Sequence, residues 1–299
     1  MANDLLKKAR RFADPYRVTD GKKFRLRDVD PDDTGKLNKE DKPAAEAALA
    51  EGVAVLASLQ ERLYAQDCWS VLLIFQALDA AGKDGAIKHV MSGINPQGCQ
   101  VFTFKAPSSE DLDHDYLWRC LRVLPERGRI GIFNRSYYEE VTAVKVHPEL
   151  LARQKLPEGL KKQKSLWDRR YEDIRNVEQY LSNNGTKILK FYLHVSKGEQ
   201  RRRFLERLEK PEKNWKFSSA DLTARNSWKD YQEAYEQAIR ETAAPHAPWY
   251  VVPADNKWFT RIVVAAAVID ALDSLDLAFP EPTAEQMEGI AEARHSLAR

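Results

Sequence analysis

The stretch Phe75–Gly85, FQALDAAGKDG, has the residue types and spacing needed to hold a phosphate. It follows a short apolar run and leads into a helical one. Backbone N–H groups and a helix N-terminus can then face an anion, with a lysine reaching the terminal phosphates. Gly82 and Lys83 match the last glycine and the lysine of the G-x-x-x-x-G-K-[ST] pattern. Ala77 stands in place of the first glycine, and Asp84 in place of the hydroxyl residue that normally touches magnesium. Ala80, Ala81, Gly82, Asp84 and Gly85 would supply the phosphate cradle. Asp79 is the oxygen donor for Mg²⁺, since that ion takes carboxylates together with water and phosphate. Taken alone, Gly82 could serve only a strand–turn–helix corner, and Asp79 only a turn.

A second stretch, Arg129–Val141 (RIGIFNRSYYEEV), is an apolar run ending in polar groups. Asn134 occupies the place where a strand-end acid often holds magnesium through water. Asn134 can orient a water but carries no charge, which shifts the metal role to Asp79. Arg135 follows, and its guanidinium suits bidentate phosphate contact from the C-terminal edge of a sheet. A surface salt bridge is its other reading. The third stretch, Ser196–Lys216, is dense in cations: Arg201, Arg202, Arg203, Arg207, Lys210, Lys213 and Lys216. Arg203 and Arg207 share a helix face. Such a helix fits a lid that excludes water and brings positive charge to a transferred group. Lys161, Lys162 and Lys164 read as a solvated face. Trp215, Trp228, Tyr231 and Tyr235 read as packing groups.

These residues need elements to position them. Ser70–Phe75 reads as a strand buried on both faces. Further strands are expected at Gln100–Phe104, Arg129–Phe133, Lys187–Val195 and Trp249–Val252. Helices are expected at about 43–66, from Gly82 to Met91, at Asp111–Leu124, 160–183, 197–210, 227–242 and 257–275, with one more short helix in the tail. Asn184-Gly185 supplies a C-cap. The alternation predicts an α/β fold whose five-stranded parallel sheet carries helices on both faces. Residues 1–42 read as an extended arm with little structure of its own. Residues 43–280 read as the main domain with a lid at about 197–230, and 281–299 as a tail.

The chain has 299 residues, 43% hydrophobic and 31% charged, as in an ordinary globular protein. No apolar run suits a membrane span, and the basic N-terminus lacks the apolar core of a secretory signal. Cys68, Cys99 and Cys120 give neither a disulfide framework nor a zinc spacing, which suits a reducing, cytoplasmic setting. The net charge of +2 is too small for wholesale nucleic-acid binding. The residues alone leave open an ATP-dependent nucleotide or small-molecule kinase and a non-catalytic nucleotide-binding regulator.

With these stretches in hand, the sequence resembles the family-2 polyphosphate kinases over nearly its whole length. The resemblance rests on DAAGKDG, on NPQGCQVFTFKAPSSEDLDHDYLWR, on GIFNRSYYEEV and on APWYVVPADNKW. The segments KFRLRDVDPDDTG and VTAVKVHPELL resemble the class III subgroup, which accepts both AMP and ADP. The resemblance implies a P-loop kinase-like fold with a helical lid and reversible, Mg²⁺-dependent phosphoryl transfer (Mn²⁺ as a substitute) between inorganic polyphosphate and AMP, ADP or ATP. It implies no nucleic-acid or membrane partner, and a homo-oligomer, dimer or tetramer. By position, Asp79, Lys83 and Arg135 would be catalytic. Arg201, Arg203 and Arg207 would contact phosphate from the lid. Lys105, Ala106, Pro107, Asp113, Asp115, Asn134 and Glu139 would surround the nucleotide, with Glu140 beside the same crevice. Many members carry Asp where this chain has Asn134, which bears on metal geometry and acceptor preference.

Overall fold

A computed structural model describes residues 2–215 and 224–298. Six strands form one sheet in the order β1-β6-β5-β2-β4-β3. They are β1 (Arg17–Val18), β2 (Ser70–Gln76), β3 (Cys99–Thr103), β4 (Ile130–Asn134), β5 (Thr186–His194) and β6 (Trp249–Pro253). Strands β2 to β6 run parallel, as the alternating pattern predicts; the two-residue β1 adds an antiparallel edge to β6. Every residue of β2 is buried, because helices cover both faces of a central parallel strand.

Among the described residues the helices of eight or more residues are α1 (Ala2–Ala13), α2 (Lys42–Gln66), α3 (Lys83–Val90), α4 (Leu166–Asn183), α5 (Lys197–Glu209), α6 (Trp228–Thr242), α7 (Lys257–Asp273) and α8 (Ala284–Leu297). The sheet divides the core in two. On one side α1, α2, α3 and α7 pack together, with α7 apolar almost all round and buried along most of its length. On the other side α4, α6 and the short 3₁₀ turn Tyr137–Glu140 cover the sheet. Gly185, at φ 78°, ends α4 in the left-handed conformation that glycine adopts without a Cβ penalty.

Three expectations need correction. Residues 2–13 are helical rather than extended, and α1 packs on α7, with Arg10 Nε donating to Asp270 Oδ1 at 2.7 Å. The expected helix at Asp111–Leu124 is two short ones, Ser109–Leu112 and Trp118–Leu121. A Ser108–Asp111 capping box starts the first, and Asp115 Oδ1 accepts from Leu117 N at 2.9 Å just before the second. Side chains thus offer the backbone an alternative to a continuous helix. The expected helix at 160–183 likewise divides into Glu158–Lys161 and α4, with the turn bond from Leu166 N to Gln163 O between them. No helix of the described residues is long and apolar enough to cross a membrane.

Candidate active site

Strands β2 and β4 pair in register from Val71 opposite Ile130 to Phe75 opposite Asn134. Their C-terminal ends therefore lie side by side, and Arg135 N donates to Phe75 O at 2.9 Å. This places the loop Ala77–Gly82 next to Asn134-Arg135 at the edge where parallel α/β sheets bind ligands. Ala80 (φ 64°) and Arg135 (φ 65°) both hold the left-handed conformation, which costs a residue bearing a Cβ. Strain of this kind is retained where the surroundings dictate it, often at functional sites. Gly82, at φ 108°, turns the chain into α3.

Within the loop, Lys83 is buried and its Nζ donates to Ala77 O at 2.7 Å. Burial lowers the Lys83 pKa, and neighbouring Asp79 acts in the opposite direction. Asp79 accepts from Arg135 Nη2 at 2.7 Å. Burial raises the Asp79 carboxyl, but the charges of Lys83, Arg135 and Arg207 outweigh it and hold the group below its ordinary value. Glu139, 3.8 Å from the Arg135 guanidinium, is the main influence raising that group further, with Asp79 assisting. Asn134 Nδ2 donates to Asp84 Oδ1 at 2.9 Å, which ties the second motif to the first turn of α3. Asp79, Lys83, Arg135, Asn134, Asp84 and Glu139 thus form one connected polar cluster.

A cleft of about 1230 Å³ opens from Asp79 and Arg135. Lys105, Ala106, Pro107, Asp113, Asp115, Glu139 and Glu140 line it, whereas Asn134 does not. Several of these groups also have local partners. Lys105 O accepts from Arg119 Nη1 at 2.9 Å, and Asp113 is paired with Lys155. One element of the cleft escaped sequence reasoning. Arg170, buried on α4, pairs with buried Glu140, while Gln154 donates to Glu140 and accepts from Arg170 Nη2 at 3.0 Å. Leu166, Arg170, Ile174 and Glu178 follow one another at four-residue steps along the buried face of α4. Two charges on an otherwise apolar stripe were the available signal.

The lid residues separate. Arg201 is exposed. Arg207 lies near enough for its charge to lower the Asp79 pKa. Arg203 is 4% exposed, and its guanidinium is directed at backbone carbonyls. In this structure the surrounding carbonyls, together with Glu199, take up the donors of Arg203, for which the sequence reading expected a phosphate contact. Lys216, and the part of the expected lid at 216–223, lie outside the described residues.

Among the described residues no group of three or more His, Cys, Asp or Glu side chains could form an all-protein metal cage. Magnesium bound with substrate phosphates needs only one or two carboxylates. An ionised carboxylate has lone pairs beyond the one Arg135 engages, so the donor chemistry of Asp79 fits such an ion.

The Polyphosphate kinase 2 (PPK2) family model matches residues 37–280. The chain is 51% identical over 282 residues to an ADP-polyphosphate phosphotransferase of Rhodopseudomonas palustris, covering 92% of this chain and 98% of the relative. It is 45% identical to an AMP/ADP-polyphosphate phosphotransferase of Meiothermus ruber, covering 89% and 95%. Among solved structures, polyphosphate kinase 2 from Arthrobacter aurescens TC1 superposes with a TM-score of 0.84 at 39% identity, covering 94% of this chain and 96% of that one.

Proposed function

The chain belongs to the polyphosphate kinase 2 family, and we propose that the cleft beside Asp79 and Arg135 is where it transfers phosphoryl groups between inorganic polyphosphate and both AMP and ADP. The observation that carries this reading is the meeting of Asp79 and Arg135 at the strand ends of β2 and β4, on the floor of a cleft large enough for a nucleotide, with Lys83 buried in the same loop. It is joined by relatives named for polyphosphate transfer to ADP and to AMP/ADP.

A terminal phosphate oxygen of the nucleotide attacks the end phosphorus of the polyphosphate chain. A P–O bond forms to the nucleotide, and the bond to the shortened chain breaks. The reverse reaction uses the same atoms. Both reactants are polyanions, so the protein's task is alignment and charge neutralisation. Lys83 places a cation beneath the loop, and Arg135 presents a guanidinium fixed by Glu139 and Asp79. Arg201 and Arg207 bring charge from α5. Asp79 would hold Mg²⁺, or Mn²⁺ in its place, and the ion would supply positive charge against the charge developing on the phosphates. The amides and side chains of Ala80, Ala81, Gly82, Asp84 and Gly85 surround the phosphates. Lys105, Ala106, Pro107, Asp113, Asp115 and Glu139 form the nucleotide side of the cleft, and Asn134 acts from outside its lining through Asp84.

The test is phosphoryl transfer to AMP and to ADP separately, with polyphosphate and Mg²⁺ and without ATP. ADP from AMP and ATP from ADP are the expected products. Activity with only one acceptor would remove the dual-acceptor part of the reading. No polyphosphate-dependent transfer to either would overturn it.

A further inference from the structure

Three consecutive carbonyls of the phosphate loop are taken up by one face of α5. Gln200 Nε2 donates to Asp79 O at 3.0 Å. Arg203 Nη1 donates to Ala80 O at 3.1 Å and to Ala81 O at 2.7 Å. Gln200 and Arg203 are three apart on the helix and so point the same way. The other donors of Arg203 go to Glu199 Oε1 (2.7 Å), Ala254 O (2.6 Å) and Asp255 O (3.0 Å). A guanidinium has five N–H groups, and these five bonds account for them. None is left to grip a substrate phosphate while the clamp holds.

The clamp has a consequence for the loop's amides. Across a planar trans peptide, a C=O and the following N–H point in opposite directions. Drawing Asp79 O and Ala81 O toward α5 turns the amides of Ala80 and Gly82 away from it. The amide of Ala81 is occupied locally, donating to Leu78 O at 3.3 Å. The left-handed φ of Ala80 and of Gly82 gives the loop the alternating backbone that this arrangement needs. The far end of the clamp is anchored as well. Asp255 Oδ1 accepts from Ser196 N at 2.8 Å, and Asp255 N donates to Pro31 O at 3.0 Å. Asn256 Nδ2 donates to Asp32 Oδ1 at 2.7 Å.

We propose that Gln200 and Arg203 are positioning residues of the phosphate loop: from the base of the lid helix they hold the carbonyls of Asp79, Ala80 and Ala81 so that the loop's amides are set for phosphate before substrate arrives. They act through the loop and do not touch the reacting atoms. The root of α5 is therefore part of the phosphate site. Only the identity of the ligand rests on the polyphosphate reading; the clamp itself does not.

The experiment compares wild type with Gln200→Leu, Arg203→Lys and Arg203→Met. It measures calorimetric binding of inorganic tripolyphosphate with Mg²⁺, amide hydrogen exchange of the 77–83 segment, thermal melting, and kcat and KM with AMP. Gln200→Leu removes the bond to Asp79 O, leaves Arg225 Nη1 with Lys197 O as its acceptor in place of Gln200 Oε1, and keeps a side chain in the buried position. It should melt close to wild type, yet bind tripolyphosphate about tenfold more weakly and exchange its loop amides faster. Arg203→Met should show a larger loss of both, with Arg203→Lys recovering part of it. Wild-type binding and wild-type loop exchange in Gln200→Leu would overturn the proposal. So would lowered melting in the Arg203 variants with tripolyphosphate affinity unchanged, since that marks a purely structural role. If wild type itself fails to bind tripolyphosphate, the polyphosphate reading falls. Loop exchange then decides the clamp alone: acceleration in Gln200→Leu supports it, and no change overturns it.

Discussion

Asp79 and Arg135 lie 56 positions apart in sequence and meet across the ends of two adjacent parallel strands, with Arg135 Nη2 2.7 Å from Asp79 Oδ1. The pair gives the cleft floor a carboxylate and a guanidinium side by side. Burial raises the Asp79 carboxyl, but Lys83, Arg135 and Arg207 bring it below its ordinary value. A carboxyl depressed in the folded state contributes stability above the unfolded aspartate value of about 3.9. That contribution is lost as pH falls through the lower folded value. In Arg135→Ala the Asp79 pKa should rise, so the stability it contributes should shrink and its loss should be complete at a higher pH than in wild type. Carboxyl NMR titration, with melting followed against pH, checks both. An unmoved Asp79 titration would show that Arg135 does not govern it.

Lys83 places its ammonium under the loop by donating to Ala77 O. Lys83→Ala should lower kcat by about 10²–10³-fold, the scale of one preorganised electrostatic donor. It also leaves Ala77 O without that donor, at a cost of about 1–3 kcal/mol. Steady-state kinetics and urea unfolding together separate the two effects. Near-wild-type kcat would remove Lys83 from the mechanism.

Beneath the Tyr137–Glu140 turn, Lys190 and Glu178 form a fully buried pair at 2.6 Å. Lys190 Nζ also donates to Tyr138 Oη (3.0 Å) and Thr242 O (2.8 Å), while Glu178 Oε1 accepts from Tyr137 Oη (3.0 Å) and Tyr138 Oη (2.8 Å). Removing one partner strands the other charge away from water. Lys190→Met alone should destabilise the fold by about 3–5 kcal/mol. Lys190→Met with Glu178→Leu should cost less than the single change. Chemical denaturation of the three proteins checks the order, and a double variant weaker than Lys190→Met would refute it.

The parts of the fold that sequence revealed are those with local causes. The uninterrupted apolar run of β2, the Gly82-Lys83 pair and the Asn184-Gly185 stop each act within a few residues. The parts it obscured depend on long-range partners. Arg203 has the sequence spacing of a lid arginine, and only the fold brings Ala80 O, Ala81 O and Ala254 O around it. Arg170 reads as one more charge on a charged helix until Glu140 and Gln154 arrive from another segment. The helix at Ala2–Ala13 was missed because its partner α7 lies at the opposite end of the chain.

The cation-rich segment from Arg201 to Lys213 suggests a track for a polyanion, but the structure shows part of that charge already balanced. Glu206 accepts from Lys210 and Lys213, each at 2.8 Å, and their hydrogen bonds pull its carboxyl down to about 2. It also lies 3.7 Å from Arg202. With a net charge of only +2, binding of a long polyphosphate must draw on local cations. Each cation that neutralises a phosphate releases condensed counterions, so log K should fall linearly with log salt. Glu206→Gln frees Lys210 and Lys213 from a carboxylate without altering the loop or the cleft floor. It should tighten polyphosphate binding at low salt and steepen the slope by about one unit. It should leave the KM for AMP unchanged. Titrating a long-chain polyphosphate across a salt series measures the slope directly. A steeper slope places these lysines on the polyanion's path. A slope equal to that of wild type assigns them to holding α5 to the short helix at Pro211–Asn214, and the track must then run elsewhere along the cleft.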